Sequence, residues 1–114
     1  MRLSAGIAAL VLASLGSLAT AQTVPVRSGE HDGFTRLVVP IGADRNWQIT
    51  RDDAGVSIRF FPDPPELDVS RVFDLIGRTR LSAIRSEDGL YLSLACPCTV
   101  SVERFQGNLA VIDI

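Results

Sequence analysis

The chain has 114 residues, with 11 basic side chains against 13 acidic ones and a single histidine. One domain fits in that length, and a mildly acidic balance excludes the basic face that nucleic acid requires. One histidine and two cysteines also supply too few partners for a zinc enzyme or a Cys–His nucleophile.

The first 21 residues read as a secretory signal peptide. Arg2 gives a positive start, Ile7 to Leu18 is an apolar run, and Ala19-Thr20-Ala21 is an A-x-A cleavage site before Gln22. The run is too short to span a hydrocarbon layer of about 30 Å, and no cysteine follows the cleavage site to accept a lipid. Residues 22–114 are therefore expected in the periplasm, with no membrane span after cleavage. A domain of this size buries roughly 60% of its unfolded surface in one thin core. All its basic residues are arginines.

Taken in order, Gln22 to Arg27 is extended and Ser28 to Gly33 is a polar turn. Phe34 to Ile41 is the first clear strand. Its period of two sets Thr35, Leu37, Val39 and Ile41 on the core face, and Phe34, Arg36 and Val38 on the other. Trp47 to Arg51 and Val56 to Phe61 form a hairpin across Asp52-Asp53-Ala54-Gly55. Pro62-Asp63-Pro64-Pro65 cannot sit in a central strand and marks the midpoint. Asp68 is placed to cap a short helix from Val69 to about Ile76, closed by Gly77. Arg80 to Arg85 is extended, Ser86 to Gly89 turns, and Leu90 to Cys96 is a strand with its leucines on one face. Thr99 to Phe105 and Leu109 to Ile114 are the last two strands. The final strand has no polar exit, so a longer parent protein is expected.

The second half echoes the first. With Gly29 and His31 set aside, Val26-Arg27-Ser28-Glu30-Asp32-Gly33 matches Ile84-Arg85-Ser86-Glu87-Asp88-Gly89, and each string leads into an apolar strand. Further on, Trp47-Gln48-Ile49-Thr50-Arg51 matches Val100-Ser101-Val102-Glu103-Arg104. The expected fold is an all-β sandwich of two similar small sheets from an internal duplication, with one short helix between the halves.

Cys96-Pro97-Cys98 is the only cysteine pair. In an oxidising compartment it reads first as a structural disulfide. Reduced thiols packed at a strand end, or a thiol or copper site, are the alternatives. No metal site is otherwise expected, and no cofactor. No nucleophile motif such as Gly-x-Ser-x-Gly occurs, so no catalytic residues are assigned and an enzyme is not expected.

The stretch Val26-Arg27-Ser28-Gly29-Glu30-His31-Asp32-Gly33-Phe34-Thr35-Arg36-Leu37-Val38 resembles the AMIN domain. It has a strand ending in Val-Arg, then Gly-x-His, then Thr-Arg-aliphatic-Val. AMIN domains occur in periplasmic N-acetylmuramoyl-L-alanine amidases and in type IV pilus secretins. The resemblance implies a sandwich of two symmetric sheets that binds peptidoglycan and localises its host protein. The motif covers only Arg27 to Val38, and the chain departs from the family at Pro40-Ile41, in the short helix and in Cys-Pro-Cys. The implied partner is peptidoglycan, with another envelope protein as the alternative. Arg27, His31, Arg36 and Arg85 are the candidate ligand-binding residues, because arginine pairs bidentately with the carboxylates that peptide stems carry. Against that stands a simple surface ion pair of Arg36 with Glu30 or Asp32. Trp47 and Tyr91 could stack on sugar rings, although a tryptophan is more often core.

Overall fold

The structure is a computed structural model and describes residues 23–114. The signal-peptide reading falls on residues outside that range. Ten strands follow in chain order: β1 (Val24–Pro25), β2 (Arg27–His31), β3 (Phe34–Pro40), β4 (Asn46–Arg51), β5 (Gly55–Phe61), β6 (Leu67–Asp68), β7 (Leu81–Ser86), β8 (Gly89–Leu94), β9 (Ser101–Phe105) and β10 (Leu109–Asp113). They form two four-stranded antiparallel sheets, ordered β2-β3-β10-β9 and β4-β5-β8-β7, and β1 pairs in parallel with β6. Neither sheet closes on itself. β2 and β9 edge the first sheet, β4 and β7 the second.

The alternation read from the sequence sets the core. On β3, Thr35, Leu37 and Val39 are buried while Phe34, Arg36 and Val38 are half-exposed. On β5, Val56, Ile58 and Phe60 point inward, and on β8 so do Leu90 and Leu92. These residues join Ala110, Ile112, Leu81 and Val72 in one apolar cluster shared by both sheets. The Asp52–Gly55 hairpin forms as expected: Asp52 N–H donates to the Gly55 carbonyl at 3.0 Å. Asp52 Oδ1 accepts from Ala54 N–H and Gly55 N–H, both at 2.8 Å.

Three expectations change. The segment Ser28 to His31 is strand, with only Asp32 and Gly33 turning; pairing with β3 outweighs its polar composition. The helix expected over residues 69–76 is a single 3-10 turn at Val72–Asp74. Two backbone bonds explain this. Val24 N–H donates to Glu66 O at 2.8 Å and Val26 N–H to Asp68 O at 2.9 Å. A helix capped at Asp68 needs that carbonyl for its own first turn, and Val26, just after β1, bonds to it. The Asp68 carboxylate accepts from Ser70, its N–H at 2.9 Å. Two β-branched residues, Val69 and Val72, weaken the helix further.

The third change concerns the halves. Neither half forms its own sheet. Each sheet takes one hairpin from each: β2-β3 with β9-β10, and β7-β8 with β4-β5. Exchanging β2, β3, β4, β5 for β7, β8, β9, β10 turns one sheet order into the other reversed. The registers give the equivalent residues. Ile112 pairs with Leu37 and Val102, and Ile58 pairs with Leu90 and Ile49. Leu37 therefore corresponds to Leu90, and Ile49 to Val102. Ser28 pairs with Leu37 and Ser86 with Leu90, so Arg27-Ser28 corresponds to Arg85-Ser86. Nine positions separate Ser28 from Leu37, but four separate Ser86 from Leu90. The first hairpin is the longer one.

The same symmetry equates Arg51 with Arg104, and both guanidinium groups tie down a crossing between sheets. Arg104 donates to the Arg45 carbonyl and to Asn46 Oδ1 at 3.1 Å, fixing the link from β3 to β4. Arg51 donates to the Cys98 carbonyl at 2.5 Å, fixing the link from β8 to β9.

Candidate functional site

The register assembles the outer face of the β2-β3-β10-β9 sheet row by row. One row runs Arg27, Val38, Val111, Glu103 and the next Gly29, Arg36, Asp113, Ser101. Beyond them His31 pairs with Phe34. The His31 ring stacks flat on Phe34, with centroids 4.7 Å apart and planes 5° from parallel. Arg36 lies over the same ring at 5.2 Å.

Arg36 is already engaged. Its Nε and Nη2 donate to the two carboxylate oxygens of Asp113 at 2.8 and 2.9 Å. The guanidinium holds the Asp113 carboxyl below its ordinary range, with His31 adding a smaller push in the same direction. The ion pair expected with Glu30 or Asp32 thus forms across strands with Asp113 instead. Glu30 is occupied elsewhere: it accepts from the Thr35 hydroxyl, from Gly77 N–H at 3.2 Å and from Arg80 at 3.4 Å. Those bonds, the Thr35 one first, lower its pKa.

Arg27 differs. Among the described residues it forms no ion pair. It lines a groove of about 470 Å³ between the start of β2 and the 3-10 turn, with Pro25, Val26, Ser28, Arg71, Asp74 and Leu75. The Ser28 hydroxyl donates to the Val72 carbonyl and fixes the turn against β2. Arg71 is paired with Asp74 at 2.8 Å. Leu75 is 71% exposed at the rim. The groove therefore offers the Arg27 guanidinium and the Arg71–Asp74 ion pair beside an apolar wall.

Arg85 sits apart from these residues, on the outer face of the other sheet. It lies over Tyr91 at 4.3 Å and meets Glu87 at 3.4 Å. Tyr91 in turn donates to both Asp52 oxygens, at 2.9 and 3.1 Å. The four candidate residues are thus divided: Arg27, His31 and Arg36 share one face, and Arg85 does not join them. Trp47 is half-buried against the core with Arg104 over its ring at 5.3 Å. Tyr91 and Trp47 both have an arginine over the ring. Cys96 and Cys98 are joined as a disulfide, with their Cα atoms 5.1 Å apart, within the usual range. The bridge lies within the link that Arg51 holds.

Sequence reasoning missed Arg71 and Leu75, which an expected helix would have turned toward a different environment. It also missed the two clamps, although the match of Arg51 with Arg104 was visible in the aligned halves.

Four carboxylates are depressed by hydrogen bonds made in the fold, Asp68 among them through the Ser70 hydroxyl and N–H. Asp52 is lowered by Ala54 N–H, the Tyr91 hydroxyl and Gly55 N–H; Glu30 and Asp113 are lowered as above. A depressed carboxyl stabilises the fold above its unfolded pKa of about 4 and loses that effect as pH falls through the folded value. Melting temperature is therefore expected to be level from about pH 8 to pH 5 and to drop steeply below about pH 4. Asp113→Asn should flatten part of that drop in thermal melts. The Tyr91 phenol shifts upward because of its bond to Asp52, so its contribution is present below about pH 10 and lost above it.

Compared with known proteins, the chain matches no family model, no curated protein and no solved structure.

Proposed function

We propose that this chain is a non-catalytic binding module of the bacterial cell envelope, exported by its N-terminal leader, that recognises peptidoglycan and localises the protein carrying it. The observation that carries the reading is the groove at Arg27. The Arg27 guanidinium, without an acidic partner among the described residues, stands beside the Arg71–Asp74 pair and the apolar surfaces of Val26 and Leu75. A peptide stem has matching parts: a carboxylate for the guanidinium and aliphatic carbons for the wall. A charge-assisted bond of this kind contributes about 1.5–3 kcal/mol.

Kinship with AMIN domains is part of the same proposal. The motif from Arg27 to Val38 falls on a single hairpin, β2-β3, in a molecule with two symmetric four-stranded sheets. An origin by internal duplication accounts for the matched strand orders, for Arg27-Ser28 opposite Arg85-Ser86, and for Arg51 opposite Arg104.

The test is co-sedimentation of the purified protein with peptidoglycan sacculi. The unaltered protein should pellet with the wall. Arg27→Ala combined with Arg71→Ala should lower retention about tenfold or more, as expected from one lost charged contact. Arg85→Ala, on the opposite sheet, should not. Absence of the unaltered protein from the pellet, or equal retention of the double variant, rejects the reading.

A further inference from the structure

Charge on the outer face of the β2-β3-β10-β9 sheet is sorted by strand. Arg27 and His31 on β2 and Arg36 on β3 are basic, whereas Asp113 on β10 and Glu103 on β9 are acidic. Between the two sides run the half-buried Val38, Val111 and Leu109, and Phe105 stands 54% exposed at the β9 edge. The equivalent face of the other sheet lacks this sorting of charge. Its outward residues include the polar Gln48, Thr50, Ser57, Arg59 and Ser93 together with Ala83, Tyr91 and the 38% exposed Phe61, and none of those on its four strands is acidic. Symmetry-related faces of one molecule have thus become chemically different, and contiguous apolar surface rimmed by charge marks an interaction surface.

We propose that a second copy of this chain docks on that face. The two copies are related by a two-fold axis lying in the interface, parallel to the strands and over the seam between β3 and β10. Such a rotation sets β2 over the partner's β9 and β3 over the partner's β10. Every row is then complementary to itself. Arg27 faces the partner's Glu103, Val38 faces the partner's Val111, and the Arg36–Asp113 pair meets its own inverted image. This is the isologous contact that a two-fold dimer requires. A heterologous partner would need to supply the same pattern of charge by coincidence; a second copy supplies it by symmetry.

The footprint also sets the strength. Four strands about 4.8 Å apart, over five residues rising about 3.4 Å each, span about 19 by 17 Å. That is well under the roughly 800 Å² per partner of a standard stable interface. Dimerisation is therefore expected between about 10 µM and 1 mM. Arg27 also lines the groove, so a bound carboxylate and the second copy compete for one guanidinium.

Sedimentation equilibrium of the purified protein over about 10 µM to 1 mM tests the proposal. A dimer that weakens with added salt is expected. Arg27→Glu and Glu103→Arg should each weaken it at least tenfold by setting like charges face to face. Combining the two should restore it, since Glu at 27 then meets Arg at 103 of the partner. Arg59→Glu on the polar sheet and Arg71→Ala in the groove should leave it unchanged; both positions are exposed, and circular dichroism melts verify folding of every variant. A monomer throughout the range, single reversals that match the unaltered protein, or a double reversal that fails to restore association each overturns the proposal.

Discussion

Gly55→Ala and Gly89→Ala should each remove most of the protein's stability and lower its melting temperature by about 20 °C or more. β5 and β8 pair at the centre of their sheet, and each of these glycines faces the other strand's backbone directly. A Cβ on Gly55 would stand 2.0 Å from the Leu92 carbonyl oxygen, and one on Gly89 would stand 2.1 Å from the Ile58 carbonyl oxygen. Gly89 also has φ +142, a backbone conformation open to glycine and strained for other residues. Backbone atoms in a paired ladder cannot swing aside as a long side chain can. The strands must part, which breaks ladder bonds and opens the core around Leu90 and Leu92. A cost of about 4 kcal/mol or more is expected, comparable to the whole stability of a domain of this size, about 5–10 kcal/mol. Gly107→Ala is the comparison. Gly107 has φ +77 but nothing within 4 Å of its added Cβ, so only the backbone cost of about 1 kcal/mol applies. Thermal and denaturant melts separate the outcomes, and similar melting points for all three variants would contradict the steric argument.

Phe60→Ala is expected to cost about 4 kcal/mol and to lower the melting temperature by roughly 20 °C. Phe60 is fully buried and the largest side chain in the core, whereas Phe61 is 38% exposed on the other side of the same strand. Removing the Phe60 ring forfeits its transfer from water and leaves a cavity that the two sheets cannot collapse to fill. Phe61→Ala loses neither to the same degree and should stay within about 1 kcal/mol. Two adjacent, identical residues are thus expected to differ severalfold in effect because strand geometry sends them to opposite sides. Comparable losses at both positions would show that β5 does not pack as described.

Much of this was legible in the sequence where one local rule governed. The alternation on β3 and β5, the Asp52–Gly55 turn and the proline break at residues 62–65 all follow from residues close together in the chain. What could not be read depends on a distant partner. The segment after Asp68 has a helix-capping pattern, and it fails because Val26, more than forty residues earlier, bonds to the Asp68 carbonyl. The aligned strings put Gly33 opposite Gly89, whereas pairing puts Leu37 opposite Leu90. The difference is the added length of the first hairpin, five positions, of which string matching absorbs only two as skipped residues. Of the candidate site, Arg27 and Arg36 were read on neighbouring extended segments that do pair, whereas His31 was read in the turn between them and lies on β2. Their division from Arg85 depends on which sheet each half's hairpins enter, and no residue pattern states that. The engagement of Arg36 by Asp113, 77 residues away, is hidden for the same reason.

The exchange of hairpins between halves has a kinetic consequence. β10 is the last of the described strands, yet it lies at the centre of its sheet, between β3 and β9. The other sheet likewise joins β5 to β8, across the whole middle segment. A chain emerging N-terminus first can form the β2-β3 and β4-β5 hairpins early, but isolated hairpins are at best marginal in water. The second sheet is complete only with β8, at Leu94, and the first only with β10, at Asp113, and the contacts that close them join strands far apart in the sequence. High contact order of this kind gives slow folding, in milliseconds to seconds. A truncation removing only residues 109–114 is therefore predicted to prevent collapse of the first sheet and not merely to fray one end.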